Sequence, residues 1–283
     1  MSTIKNYLEL GKYKETLLLV FGGAAGGALV YHPFNFIYFY SLLFLFFAVM
    51  GTNSITNYID RDIDAIMERT KSRPLPSGKI EPPQKAIYFG VVLILIGISG
   101  FIYYTLFYSI IWILFGIVFD PFLYNYLSKR KTPWNIIIGS FAGGAPVMVV
   151  WSALTKSFFS ITPFILMLTI VVWTPIHIWS LAIRYRQDYE KANVPMLPVK
   201  KGVNFTIRVI ALSTFLLILF SSYIFYLISI YLFLIMMIVN AFILYLIIKL
   251  AIKPNEKLSY LIFKTTSPYL AILFLLIILK QII

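Results

Sequence analysis

The sequence predicts an all-α, polytopic membrane protein with nine transmembrane helices. Three observations carry that prediction. Hydrophobic residues make up 60% of the 283-residue chain and charged residues only 12%, the balance of an integral membrane protein rather than of a soluble core. Apolar windows of about 20 residues, the length that crosses a bilayer core, recur along the whole chain. None of these windows alternates polar and apolar residues as the strands of a membrane β-barrel do.

The windows fall near residues 13–31, 36–57, 85–104, 108–128, 134–154, 161–183, 204–226, 229–250 and 262–281. The first follows lysines, as a signal peptide would, but eight more apolar segments come after it and it reads as a retained span. It carries Gly22, Gly23, Gly26 and Gly27 in small-xxx-small spacing, as the fifth carries Gly139, Gly143 and Gly144, and close helix packing is the role expected of both sets. The second runs into an acidic cluster. The fourth holds Asp120 beside Pro121, about two turns from its end. The sixth holds His177 at similar depth, after Trp173-Thr174-Pro175. The last three carry charge only near their ends, at Arg208, Lys249, Lys264 and Lys280. His32, in a short connection beside Pro33, reads as an ordinary interfacial residue.

Charge orients the bundle. Of 24 Lys and Arg, 22 lie at the N-terminus, in the polar connections near 58–84, 129–133, 184–203 and 251–261, or at the adjoining helix ends; only Lys156 and Lys280 lie on the other side. Basic residues favour the cytoplasm, so the N-terminus is expected inside and the C-terminus outside, in the cell membrane. The net charge of +13 is then loop charge facing anionic lipid rather than a nucleic-acid surface. With no cysteine and two histidines, disulfides, thiolate catalysis and a His/Cys zinc site are excluded.

The chemistry is concentrated in residues 57–64, Asn-Tyr-Ile-Asp-Arg-Asp-Ile-Asp. Asp and Glu number 11 in the chain, and three fall within these positions. On a helix Asn57, Asp60 and Asp64 share one face, and oxygen ligands grouped in this way suit Mg²⁺ held together with substrate phosphates. Arg69, Lys71 and Arg73 follow directly, and carboxylates, Mg²⁺ and basic side chains together form a clamp for a diphosphate. If the sixth helix continues past its span, His177, Leu181, Arg184 and Asp188 line one face, and Asp188 becomes a second cation ligand. An ionisable residue at the depth of His177 or Asp120 is a functional candidate by default; a neutral histidine bonded to a neighbouring helix is the plain alternative.

The Asn57-x-x-Asp60-x-x-x-Asp64 spacing resembles the first aspartate-rich motif of the UbiA-type intramembrane prenyltransferases. Arg69-Thr-Lys-Ser-Arg-Pro-Leu75, Lys129-Arg130-Lys131-Thr132-Pro133, Trp173-Thr-Pro-Ile-His177 and Arg184 through Pro198 resemble the haem O synthase branch of that family. The resemblance implies one domain over residues 1–283, with helices around a cavity open to the cytoplasmic side. It implies transfer of a farnesyl group from farnesyl diphosphate to a vinyl group of haem b. Asn57, Asp60, Asp64 and Asp188 are the implied Mg²⁺ ligands. Arg69, Lys71, Arg73, Lys129, Arg130 and Arg184, with Tyr124 and Asp120, are the implied substrate contacts. His177 is implied in iron ligation or water delivery, and a haem A synthase or terminal oxidase as an assembly partner. Two departures stand out. Thr56 occupies a position that is often Asn, and Arg184 stands four before Asp188 where a second aspartate is frequent. A quinone precursor or an archaeal glycerol lipid is the alternative acceptor, and a cation-coupled transporter using Asp120 and His177 is the alternative class.

Overall fold

The computed structural model describes residues 2–30 and 33–281; His32 lies outside them. Among the described residues every regular element is a helix: α1 (Ser2–Leu10), α2 (Tyr13–Gly27), α3 (Phe36–Ile66), α4 (Lys85–Tyr103), α5 (Phe107–Ile117), a π-helix (Val118–Ser128), α6 (Asn135–Thr155), α7 (Ile161–Arg184), α8 (Arg186–Lys191), α9 (Leu197–Lys200), α10 (Val203–Ile228), α11 (Ile230–Ile252) and α12 (Glu256–Leu279). Among the described residues eight helical stretches, α5 and the π-helix together forming one of them, are long and apolar enough to cross a membrane. The ninth expected span, α2, is helical for 15 residues, about 22 Å at 1.5 Å per residue and short of a ~30 Å bilayer core. It is nonetheless built into the bundle, packed on α3, α6 and α12.

Two helices differ from their apolar windows in ways that matter to the site. The α3 helix does not stop where its apolar window ends; it continues to Ile66 and so carries the whole acidic cluster on one rigid element. It packs along α4 through Gly51 and Gly90. A Cβ on Gly51 would lie 2.5 Å from the Gly90 carbonyl oxygen, and one on Gly90 would lie 2.7 Å from that of Gly51, so the two backbones touch directly, as small-residue interfaces in membranes do. The α7 helix, in contrast, ends at Arg184 and the chain restarts as α8. The expected face of His177, Leu181, Arg184 and Asp188 is therefore not formed, because the last member lies beyond the break. Arg184 is drawn outward to Glu256 of α12 at 2.6 Å.

Candidate functional site

The α3 helix presents Asn53, Asn57, Asp60 and Asp64 toward the bundle interior, and all four are buried. Their spacing of four, three and four residues keeps them on one face. Each holds a different partner. Asn53 donates from Nδ2 to Thr16 Oγ1 at 2.9 Å. Asn57 donates from Nδ2 to the Leu10 carbonyl at 2.5 Å. Asp60 Oδ2 accepts from Lys129 Nζ at 2.5 Å, and Asp64 Oδ2 accepts from Arg73 Nη1 at 2.7 Å. Asp62 points the other way and takes Arg130 at 2.7 Å on the exposed side.

Two oxygens on this face, Asn57 Oδ1 and Asp60 Oδ1, are buried with no hydrogen-bond partner. A buried acceptor without a donor costs about 1–3 kcal/mol, and here two such acceptors sit one helical turn apart. They need a donor or a cation between them. This fits a hard divalent ion, which takes one or two protein carboxylates and completes its shell from substrate phosphate and water. Among the described residues no three His, Cys, Asp or Glu side chains converge into a closed cage, so the protein supplies only part of such a shell.

The opposite wall comes from the π-helix. Pro121 inside it lacks an N–H and crowds the carbonyl four residues back, which favours the wider turn. The amide of Lys129 accordingly reaches the Tyr124 carbonyl five residues earlier, at 2.8 Å. Residues five apart therefore stack. Asn125 Nδ2 donates to Asp120 Oδ1 at 3.2 Å, and Lys129 Nζ lies 5.4 Å from the centre of the Tyr124 ring. Tyr124 has room because residue 139 is glycine: a Cβ there would fall 2.8 Å from Tyr124 Cγ. Burial pulls Lys129 down, but the charge of Asp60 and the neighbouring Tyr124 outweigh it and hold the ammonium above its ordinary range.

A third contribution comes from the corner between α1 and α2. Lys12 has a left-handed backbone, φ +48°, a conformation that strains a non-glycine residue by about 1 kcal/mol. The corner is fixed by Asn57 on the Leu10 carbonyl and by Thr16 Oγ1 on the Gly11 carbonyl at 2.9 Å. Burial and the nearby Arg73 lower the pKa of Lys12, while Asp120 and Asp60 oppose that shift. Lys12, Asn53 and Thr16 are the members of this site that sequence reasoning missed. Asn53 lies four residues before Asn57 and extends the same face, a signal available in the spacing. Lys12 reads in sequence as an ordinary basic flank.

Above the polar cluster lies an apolar cavity of about 190 Å³ between α3, α5, the π-helix and α6. Asn53 and Asp120 mark its polar part, and Trp112, Ile113, Leu45 and Val149 line the remainder. The arrangement combines cation-seeking oxygens, three basic side chains and an apolar chamber.

The remaining sequence candidates lie elsewhere. Lys71 pairs with Glu68 at 2.5 Å, both exposed. Arg69 lies over the Tyr185 ring at 5.9 Å. Asp188 borders a separate groove of about 580 Å³ with Arg184, Tyr185 and Glu256, and no hydrogen bond or ion pair among the described residues joins it to Asn57, Asp60 or Asp64. His177 faces a third cavity, of about 480 Å³, beside α2 and α12.

A profile of the UbiA prenyltransferase family matches residues 16–278. The chain is 38% identical over 285 aligned residues to the protoheme IX farnesyltransferase of Thermoplasma volcanium, covering 98% of both chains. It is 41% identical to the protein of the same name from Thermoplasma acidophilum, covering 96% of both. It superposes with a TM-score of 0.69 on a UbiA homolog from Archaeoglobus fulgidus bound to DMAPP and Mg²⁺, at 14% identity over 96% of this chain and 99% of that one.

Proposed function

Because the chain belongs to the UbiA prenyltransferase family, we propose that it transfers the farnesyl group of farnesyl diphosphate to a vinyl group of haem b, releasing diphosphate and giving haem O. It is a multi-pass membrane protein. The observation that carries the reaction class is the pair of partnerless oxygens, Asn57 Oδ1 and Asp60 Oδ1, set among basic side chains below an apolar chamber. The acceptor rests on the protoheme IX farnesyltransferases that match this chain over nearly their whole length.

Asn57 and Asp60, with Asp64 one turn further, are the residues that would hold a divalent cation, which we take to be Mg²⁺ as in the Archaeoglobus homolog. When bound, that ion offsets the charge of the diphosphate and makes it a better leaving group. Lys129, Arg73 and Lys12 add N–H donors and positive charge where negative charge builds up as the C1–O bond breaks and its electron pair leaves with the diphosphate. The chamber lined by Leu45, Ile113 and Val149 takes the isoprenoid chain and keeps water from the allylic cation. The ring of Tyr124 offers that cation a π face. The vinyl group supplies the electron pair for the new C–C bond. Water then adds to the resulting porphyrin-side carbocation and loses a proton to solvent, leaving the hydroxyl.

Asp188 is our candidate for a second cation, and Arg69, Lys71, Arg130 and Arg184 for contacts made as substrate enters. The basic loops are assigned to the cytoplasm and the C-terminus to the outside, on the distribution of Lys and Arg. Assembly with a haem A synthase or terminal oxidase is carried by resemblance alone. Diphosphate release from farnesyl diphosphate by the purified protein tests this reading: it should require both Mg²⁺ and haem b. Release that proceeds equally without haem would contradict the proposed acceptor.

A further inference from the structure

The cavity of about 480 Å³ lies between α2, α6, α7 and α12, with Leu18, Trp173, His177, Phe263 and Leu270 in its wall, and its size is that of a small-molecule site. It has Leu19 and Gly143 in common with the smaller chamber beside Asp120, so the two spaces are neighbours separated by those residues. Lys14 and Glu15 border it at the N-terminal end of α2.

The imidazole in its wall is held unusually firmly. Trp173 stacks on it at 4.6 Å between centroids and 16° between planes, and Phe263 packs at 4.3 Å. Trp173 is itself fixed by donating from Nε1 to the Thr266 carbonyl at 2.8 Å. His177 Nδ1 lies 2.8 Å from Thr266 Oγ1, and that hydroxyl donates to the Phe263 carbonyl at 2.9 Å. A hydroxyl has one proton. With that proton on the carbonyl, Thr266 Oγ1 is an acceptor toward the ring. In this arrangement Nδ1 carries the imidazole proton and Nε2 keeps a free lone pair. Among the described residues the side-chain hydrogen bond of His177 runs through Nδ1, and none is found at Nε2. A neutral histidine pinned through one nitrogen, with the other left bare beside a cavity, is the arrangement in which histidines bind metals: the pinned N–H sets the tautomer and the free nitrogen ligates.

We propose that this cavity is the acceptor chamber, that His177 Nε2 is the axial ligand to the iron of a haem bound there, and that Thr266 is the residue that positions it. The proposal rests on the reading of haem b as acceptor given above. It divides the reaction between two adjoining chambers, the isoprenoid in the smaller and the porphyrin in the larger, meeting at Leu19 and Gly143. Lys14 supplies a cation suited to a porphyrin propionate at the chamber's edge, next to Glu15, whose negative charge opposes a propionate there. Iron ligation by a single histidine is an established mode of haem attachment.

The test is a titration of the purified protein with ferric haem b, read by the Soret band and by electron paramagnetic resonance, alongside a farnesyl-transfer assay. The wild type should give a nitrogen-ligated spectrum. His177→Gly should lose that signature, bind haem at least about tenfold more weakly, regain the signature with free imidazole, and still bind farnesyl diphosphate with Mg²⁺. Thr266→Val should weaken haem binding about tenfold, within the range of 10–100-fold seen when the partner of a metal-binding histidine is removed, and Thr266→Ser should not. If the glycine variant fails to fold, the two threonine variants decide alone. Wild-type affinity and spectrum in His177→Gly or Thr266→Val, with farnesyl transfer to haem intact, would overturn the ligand assignment and leave the enzyme's function standing. No haem binding and no haem product from the wild type, with transfer to another acceptor, would overturn both.

Discussion

Asp60 and Lys129 form the least exposed ion pair of the site, with side chains 5% and 14% exposed. Removing one member of such a pair leaves an uncompensated buried charge and costs about 3–5 kcal/mol. Lys129→Met should therefore lower the midpoint of thermal unfolding as well as activity, and it reports poorly on chemistry. Asp60→Asn keeps the shape and removes the proposed cation-binding charge, but it leaves the Lys129 ammonium without its partner, so it too should lower the unfolding midpoint. Measured below that midpoint, with the protein still inserted, it should lower kcat about 100-fold or more. Asp188→Asn, on the far side of the α7–α8 break, should have a much smaller effect, expressed mainly in the Mg²⁺ concentration needed for half-maximal rate. Equal losses in the two variants would mean that α8 closes onto the site when substrate binds. At this scale the sequence was informative where spacing alone sufficed. Asn57, Asp60 and Asp64 lie three and four apart on a single unbroken helix, so their common face follows from helical geometry. Lys12 was not legible, because its place depends on a left-handed corner tied down by Asn57 and Thr16, from α3 and α2.

At the scale of elements, hydrophobic length located the helices but not their irregularities. The window at 108–128 is a single apolar run, yet the chain changes there from α5 to a π-helix, and hydropathy carries no record of that change beyond Pro121. The change matters because it aligns Tyr124 with Lys129 against Asp60. Gly139 on α6 makes space for this face, and Gly139→Val should push the Tyr124 ring by more than the few tenths of an ångström a packed helix yields. We expect at least a tenfold fall in kcat/KM for farnesyl diphosphate with little change in unfolding temperature. Unchanged kinetics would show that Tyr124 has no part in binding. The break after Arg184 was invisible for a different reason. Its visible anchor is Glu256, whose position on α12 cannot be read from the local pattern of α7.

For the whole molecule, the helical fold was largely readable, since apolar length and the absence of backbone partners in lipid leave a helix bundle as the natural solution. The short α2 was the exception, and its glycines explain it. Gly23 and Gly26 let it lie directly on the backbone of α6 at Pro146 and Val147, so it is held by protein rather than sized to the bilayer. The charge distribution predicts that reporter fusions at residues 75 and 195 are cytoplasmic and that one at the C-terminus is outside. A cytoplasmic C-terminus would mean that α2 does not cross. The two adjoining cavities were not readable at all, because each is assembled from helices remote in sequence. The proposed reaction requires that a diphosphate clamped at Asp60 meets a porphyrin beside His177. Its most direct test offers the purified protein farnesyl diphosphate and Mg²⁺ with haem b, a phenolic quinone precursor and a glycerol lipid together, and weighs the products by mass spectrometry. A product heavier than haem b by a farnesyl group plus a hydroxyl group, absent with Asp60→Asn, is the predicted result; a farnesylated phenol or glycerol lipid with haem b unchanged would contradict it.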